Sequence, residues 1–238
     1  MFYKKKLGVI GGMGSRAGIY LLQKIIDYSP AETDQDFPEI IFHNNSEIPD
    51  RTKAILLGQQ SPLTGLLKSV ALFNQNQIDI IILGCITSYY YYDQLSAATK
   101  ANVLNPIQLV LDQIKAEYRT TKRIGLLATT GTIESKLFHN NFSKQGIEVV
   151  TLHPFDQENV FMKAVYMKNG FKSSIISSEA KSLMLESARL ISDMNVDVVI
   201  GGCTEVSLGI QLNSTGVPYL DALDILARNT VKYCYQTI

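Results

Sequence analysis

The chain carries one strand-and-turn pattern twice, about half its length apart. Lys5-Lys6-Leu7-Gly8-Val9-Ile10-Gly11 resembles Lys122-Arg123-Ile124-Gly125-Leu126-Leu127-Ala128, and Gln77-Ile78-Asp79-Ile80-Ile81-Ile82-Leu83-Gly84-Cys85 resembles Asn195-Val196-Asp197-Val198-Val199-Ile200-Gly201-Gly202-Cys203. The strand glycines at 8 and 125 lie 117 positions apart, and the cysteines at 85 and 203 lie 118 apart. Two separate motifs that agree in offset to within one residue point to a duplicated unit.

Within each half, short β-branched runs alternate with longer amphipathic stretches, the order of βαβ units around a parallel sheet. Strands are predicted at Leu7 to Ile10, Glu39 to Phe42, Ile78 to Leu83, Ile124 to Leu127, Val149 to Leu152 and Val196 to Ile200. A helix carrying Leu21, Leu22, Ile25 and Ile26 is expected to end at Ser29-Pro30. The expected fold is α/β: two similar α/β domains with mainly parallel sheets, related by a pseudo-twofold axis, with the site in the cleft between them. The first domain is expected to be discontinuous, residues 1–112 with 213–238, and the second to span 113–212.

Composition narrows the function. With 238 residues, 46% hydrophobic and 18% charged, the chain suits a folded globular protein rather than a disordered one. Lys and Arg together number 22, as do Asp and Glu, so no global field attracts nucleic acid or an anionic membrane. No apolar run approaches the ~18 residues of a membrane span, and the basic N-terminus is followed by a glycine cluster instead of a secretory core. A cytoplasmic location follows as the expectation. Three cysteines without close pairing read as free thiols. His43, His139 and His153 have no metal-ligand spacing, so no metal is expected.

A cysteine just past the carboxyl end of a parallel strand stands where open α/β sheets place ligands. Taken alone, such a residue is more often a small buried hydrophobe. The pairing of Gly84-Cys85-Ile86-Thr87 with Gly202-Cys203-Thr204 changes that balance, because two thiols reaching one ligand from opposite sides suit a stereochemical inversion. Cys234 has no glycine or threonine beside it and reads as structural. Of Tyr89-Tyr90-Tyr91-Tyr92, only Tyr89 is near enough to Cys85 to be a site candidate.

Gly11-Gly12-Met13-Gly14-Ser15-Arg16-Ala17-Gly18 approximates a dinucleotide phosphate turn. Such a site calls for an acidic residue near the end of the second strand, yet that strand runs into His43-Asn44-Asn45. A small anion at a helix start is the favoured alternative. Asn44 to Thr52 is a polar loop in which Arg51 could pair with a ligand carboxylate or, equally, with Asp50 or Glu47. Ala128-Thr129-Thr130-Gly131-Thr132 occupies the matching turn of the second half.

These motifs, with Ile48-Pro49-Asp50-Arg51-Thr52 and Gly202-Cys203-Thr204-Glu205, give a sequence that resembles the aspartate/glutamate racemase family over nearly its whole length. The resemblance implies racemisation of a small acidic amino acid, aspartate or glutamate, without pyridoxal phosphate or another cofactor. It implies Cys85 and Cys203 as the acid–base pair, and a homodimer. It further implies Met13, Asn45, Arg51, Ile86, Thr87, Thr130, Lys168, Thr204 and Glu205 as substrate-binding positions. One motif departs: where the family commonly has Cys-Asn-Thr-Ala-His, this chain has Cys85-Ile86-Thr87-Ser88-Tyr89, and Ile86 cannot supply the amide's hydrogen bonds. Another superfamily activity therefore stays open: a broad-range racemase, or a decarboxylase or isomerase of a small dicarboxylate. A non-catalytic protein that binds a small acid is compatible with the same residues, and a nicotinamide-dependent enzyme is disfavoured by the missing ribose acid.

Overall fold

The computed structural model of the protein describes residues 4–210 and 215–235. The chain divides into two compact units, with the boundaries between Asn105 and Pro106 and between Leu223 and Asp224.

In the first unit β1 (Leu7–Gly11), β2 (Ile40–Asn44), β3 (Ile80–Leu83) and β4 (Asn102–Val103) form an all-parallel sheet in the order β2-β1-β3-β4. Helices α1 (Ser15–Tyr28), α2 (Arg51–Leu57), α3 (Leu63–Gln75) and α4 (Tyr92–Ala97) connect the strands. Every residue of β1 and β3 is buried, the pattern of a strand covered on both faces and the reason these runs read as continuously apolar. Helix α1 buries Ala17, Gly18, Leu21 and Ile25, and α3 buries Leu66, Ser69, Val70 and Phe73, one face each at helical spacing.

In the second unit β5 (Arg123–Leu127), β6 (Glu148–Val150), β7 (Val198–Gly201) and β8 (Tyr219–Asp221) repeat that topology in the order β6-β5-β7-β8, again all parallel. Its helices are α5 (Pro106–Glu117), α6 (Thr130–Glu134), α7 (His139–Phe142), α8 (Pro154–Asp156), α9 (Lys163–Tyr166), α10 (Ser178–Ser192) and α11 (Val206–Gly209). Leu127, Phe161, Val165, Phe171, Met184 and Ile191 belong to its core. Helix α12 (Ala222–Tyr235) begins in this unit and continues in the first.

The expected domain edge at 112 falls inside α5, which the contacts group with the second unit, where it packs on α7. The amphipathic repeat of α5 continues across residue 112 without interruption, so its pattern marks no edge there. The expected edge at 212 lies outside the described residues.

The duplication reaches single residues. Gln77 and Asn195, 118 positions apart, are both left-handed, at φ 53° and 54°, just before β3 and β7. Asp79 Oδ2 accepts from the Lys6 amide at 2.7 Å, and Asp197 Oδ2 accepts from the amides of Lys122 and Arg123 at 2.7 and 2.9 Å. The strand glycines are equivalent too. A Cβ on Gly8 would lie 2.7 Å from the Phe73 ring of α3, and one on Gly125 would lie 2.8 Å from Ile191 Cγ1 of α10.

Candidate active site

In the order β2-β1-β3-β4 the connections diverge between β1 and β3, and the carboxyl ends of those two strands flank the crevice where open α/β sheets bind ligands. The glycine turn leaves β1 there and Cys85 leaves β3. In the second unit the threonine turn leaves β5 and Cys203 leaves β7. A matching hydrogen bond ties each pair of ends, from Gly84 N to Ile10 O at 2.9 Å and from Gly202 N to Leu127 O at 2.8 Å.

The glycine turn is shaped by its neighbours. Gly12 has φ +89°, and a Cβ there would sit 2.2 Å from the Asn45 carbonyl carbon, so only glycine fits. A Cβ on Gly84 would come within 3.1 Å of Gly18 Cα, which keeps α1 close on the end of β3. These glycines serve close backbone approach and a sharp turn.

Met13, only 1% exposed, links the turn to Arg51 and to the segment that follows Cys85. Its carbonyl accepts from Arg51 Nη2 at 2.6 Å, and its sulfur accepts from Ser88 Oγ at 3.0 Å. Arg51 is the first residue of α2, whose N-cap Asp50 accepts from the Lys53 amide at 2.9 Å. The buried guanidinium also donates to Pro49 O at 3.0 Å and Ile48 O at 3.5 Å. Arg51 thus holds the turn in shape. Asn45 is buried and donates through Nδ2 to Gly65 O at 3.2 Å.

Cys85 is buried, in an extended conformation (φ −153°) ahead of a 3-10 turn, Ile86–Tyr91. Ile86 and Thr87 are buried with it. The Tyr89 hydroxyl accepts from the Leu83 amide at 3.0 Å, just beyond the last rung between β3 and the two-residue β4, where Ile81 pairs with Val103. Burial raises the Tyr89 phenol well above its ordinary value.

In the second unit Thr130 Oγ1 donates to Glu158 Oε1 at 2.7 Å and accepts from Gln157 Nε2 at 3.4 Å, while the same Nε2 holds Ala128 O at 3.0 Å. Gln157 and Glu158 belong to a π-helical stretch, Gln157–Met162, that no sequence signal announced. Cys203, also buried, donates through Sγ to Glu205 Oε2 at 2.9 Å, and the Thr204 hydroxyl donates to the same oxygen at 3.2 Å. Lys172 Nζ reaches Glu205 Oε1 at 2.7 Å and stands 5.3 Å from the centroid of the Tyr166 ring. Burial works to raise the Glu205 carboxyl, but the Lys172 charge and the hydrogen bonds from Cys203 and Lys172 hold it below the usual carboxylate value. Burial, and then the Glu205 anion, push the Cys203 thiol well above its ordinary value, with Lys172 opposing.

Lys172, not Lys168, is the lysine at this carboxylate. After α9 the chain reverses through Asn169, at φ 59°, and Gly170, where a Cβ would meet Ala164 O at 2.7 Å. The reversal leaves Lys168 exposed, buries Phe171 and turns Lys172 inward. Cys234 lies fully buried in α12, where burial pushes its thiol up to about 12. Among the described residues no group of three or more His, Cys, Asp or Glu side chains is placed to hold a metal, and no helix is long and apolar enough to cross a membrane.

The fold and its strand ends define a class: an α/β protein built twice on one topology, with a buried thiol and a tight turn at each switch point. The chain belongs to the Asp/Glu/Hydantoin racemase family, whose sequence pattern matches residues 10–230. It is 22% identical to the broad specificity amino-acid racemase RacX of Bacillus subtilis over 95% of this chain and 96% of that one. Among solved structures it is similar to the aspartate racemase of Picrophilus torridus, at 25% identity and a TM-score of 0.82, covering 97% of this chain and 94% of the other. It also shares the fold of a glutamate racemase from Francisella tularensis solved with D-glutamate, at 18% identity and a TM-score of 0.68 over 98% of this chain and 80% of that one.

Proposed function

We propose that the protein racemises an α-amino acid without a cofactor, Cys85 and Cys203 acting as base and acid on opposite faces of the α-carbon. The observation that carries this reading is the buried thiol at equivalent switch points of two copies of one topology. In the reaction one thiolate removes the α-proton and the other thiol returns a proton to the opposite face. The intermediate's negative charge needs cations and amides around the carboxylate. Arg51 beside the first turn and Lys172 beside Cys203 favour an acidic substrate, aspartate first and glutamate second. A broad range of neutral amino acids is the second reading, favoured by buried Ile86 and by Glu205, which already neutralises Lys172. The same reading takes the protein as a cytoplasmic homodimer, to be measured by analytical ultracentrifugation.

The test is a panel of single-enantiomer amino acids incubated in deuterium oxide without added cofactor, followed by chiral chromatography and mass spectrometry. Appearance of the opposite enantiomer with deuterium at the α-carbon is expected, and Cys85→Ala and Cys203→Ala are each expected to abolish it. Racemisation that persists in either variant overturns the two-base mechanism. A panel with no exchange at all overturns the function.

A further inference from the structure

The two thiols have unequal neighbours. Two residues after Cys203 stands Glu205, whereas two residues after Cys85 stands Thr87. Glu205 is 2% exposed, and its two oxygens are shared between the Cys203 thiol and Thr204 hydroxyl on one side and the Lys172 ammonium on the other. Loss of the Cys203 proton would leave two anions 2.9 Å apart away from solvent, so the carboxylate favours the protonated sulfur. Lys172 keeps that carboxylate ionised and so keeps it an acceptor. Among the described residues of its own unit, no carboxylate accepts from the Cys85 sulfur.

We propose that Glu205 is a positioning residue that holds Cys203 as the thiol in the resting enzyme and thereby makes Cys85 the resting base. The inference rests on the two-thiol reading and deepens it by assigning the roles. In the favoured first turnover the Cys85 thiolate takes the α-proton and becomes a thiol, while Cys203 gives its proton to the opposite face and becomes a thiolate. The charge of the pair is conserved. The product state places the new thiolate beside Glu205, so a solvent proton must return to Cys203 and leave Cys85 before the same direction runs again. The two enantiomers are therefore not equivalent substrates for the resting enzyme. The charged groups acting on Cys203 are Glu205 and, behind it, Lys172.

The test is the pH dependence of iodoacetamide alkylation of the full chain, read separately for Cys85 and Cys203 by peptide mass mapping. Cys203 is expected to react with the higher midpoint. Glu205→Gln is expected to move the Cys203 midpoint down by at least about one pH unit, roughly a tenfold gain in its alkylation at a fixed pH below the midpoint, and to leave the Cys85 profile in place. Equal midpoints in the unaltered chain, or a Cys203 profile that Glu205→Gln does not move, overturn the assignment. If Glu205→Gln fails to fold, the comparison of the two thiols in the unaltered chain decides alone. Alkylation does not depend on turnover, so a failure here is distinct from a failed amino-acid panel.

Discussion

Lys172 neutralises a carboxylate that has almost no access to water, with side-chain exposures of 22% and 3% for the two partners. Lys172→Met leaves that charge uncompensated, a change that costs about 3–5 kcal/mol when one partner of a buried pair is removed. The folded pKa of Glu205 is depressed, so its stabilisation is present above the unfolded value of about 4.3 and disappears as pH falls through the folded one. Urea unfolding of Lys172→Met is therefore expected to show its largest deficit near pH 7 and a shrinking one below about pH 4. A deficit that does not change with pH would mean that Lys172 acts by packing alone. A second change tests substrate choice: Ile86→Asn restores an amide beside Cys85 and is expected to raise kcat/KM for aspartate relative to alanine by about tenfold, the scale of one added hydrogen bond to a charged group. Residue by residue, the sequence was legible where a motif had a twin. The offset puts Cys85, Cys203 and the turns at equivalent strand ends of the two units, whereas Lys168 has no twin to align it, and the reversal at Asn169-Gly170 that brings Lys172 inward is a matter of backbone conformation.

At the scale of elements, the repeated glycines do structural work that the motif alone did not reveal. Gly8 and Gly125 let α3 and α10 lie directly on the central strands. Alanine at either position pushes a Phe73 or Ile191 side chain out of its seat, and each variant is expected to lose about 1–3 kcal/mol in urea titration by overpacking. Activity per folded molecule is expected to stay near the original value, because both glycines sit at the second or third residue of their strands, away from the carboxyl ends. The predicted strands correspond to six of the eight among the described residues, and the central ones are the plainest: β1, β3 and β7 are buried throughout and β5 from its second residue on. β4 and β8 escaped detection because they are two and three residues long and each pairs along one edge, too short for any period to show. The π-helical stretch escaped for a related reason: its sequence, Gln157 to Met162, is too short to separate one helical period from another.

At the scale of the molecule, the chain's order requires it to leave its first unit at Pro106 and return to it at Asp224, so α12 carries the fastening of that unit's two ends. Asp224 is the fastener. It accepts from Lys24 Nζ at 2.7 Å, from the Tyr28 hydroxyl, and from Arg228 Nε at 2.7 Å, while the Cys234 carbonyl accepts from the Lys5 amide at 3.0 Å. Burial raises the Asp224 carboxyl, but the hydrogen bonds from Lys24, Tyr28 and Arg228 outweigh it and hold the group below its usual value. Its contribution is thus present above the unfolded value of about 3.9 and lost on acidification through the folded one. Asp224→Asn keeps the shape and removes the charge, leaving the half-buried Lys24 without its carboxylate. A loss of about 1–3 kcal/mol is expected at pH 7, or a fall in Tm of roughly 2–4 °C per kcal/mol for a chain of this size. Lys24 stands nine residues along α1 from Ser15, about 14 Å from the glycine turn at the helical rise. The variant is accordingly expected to keep kcat at a temperature where it remains folded. A calorimetric Tm that does not move at pH 7 would show that α12 is held by its apolar face alone, through Leu226, Ala227 and Val231.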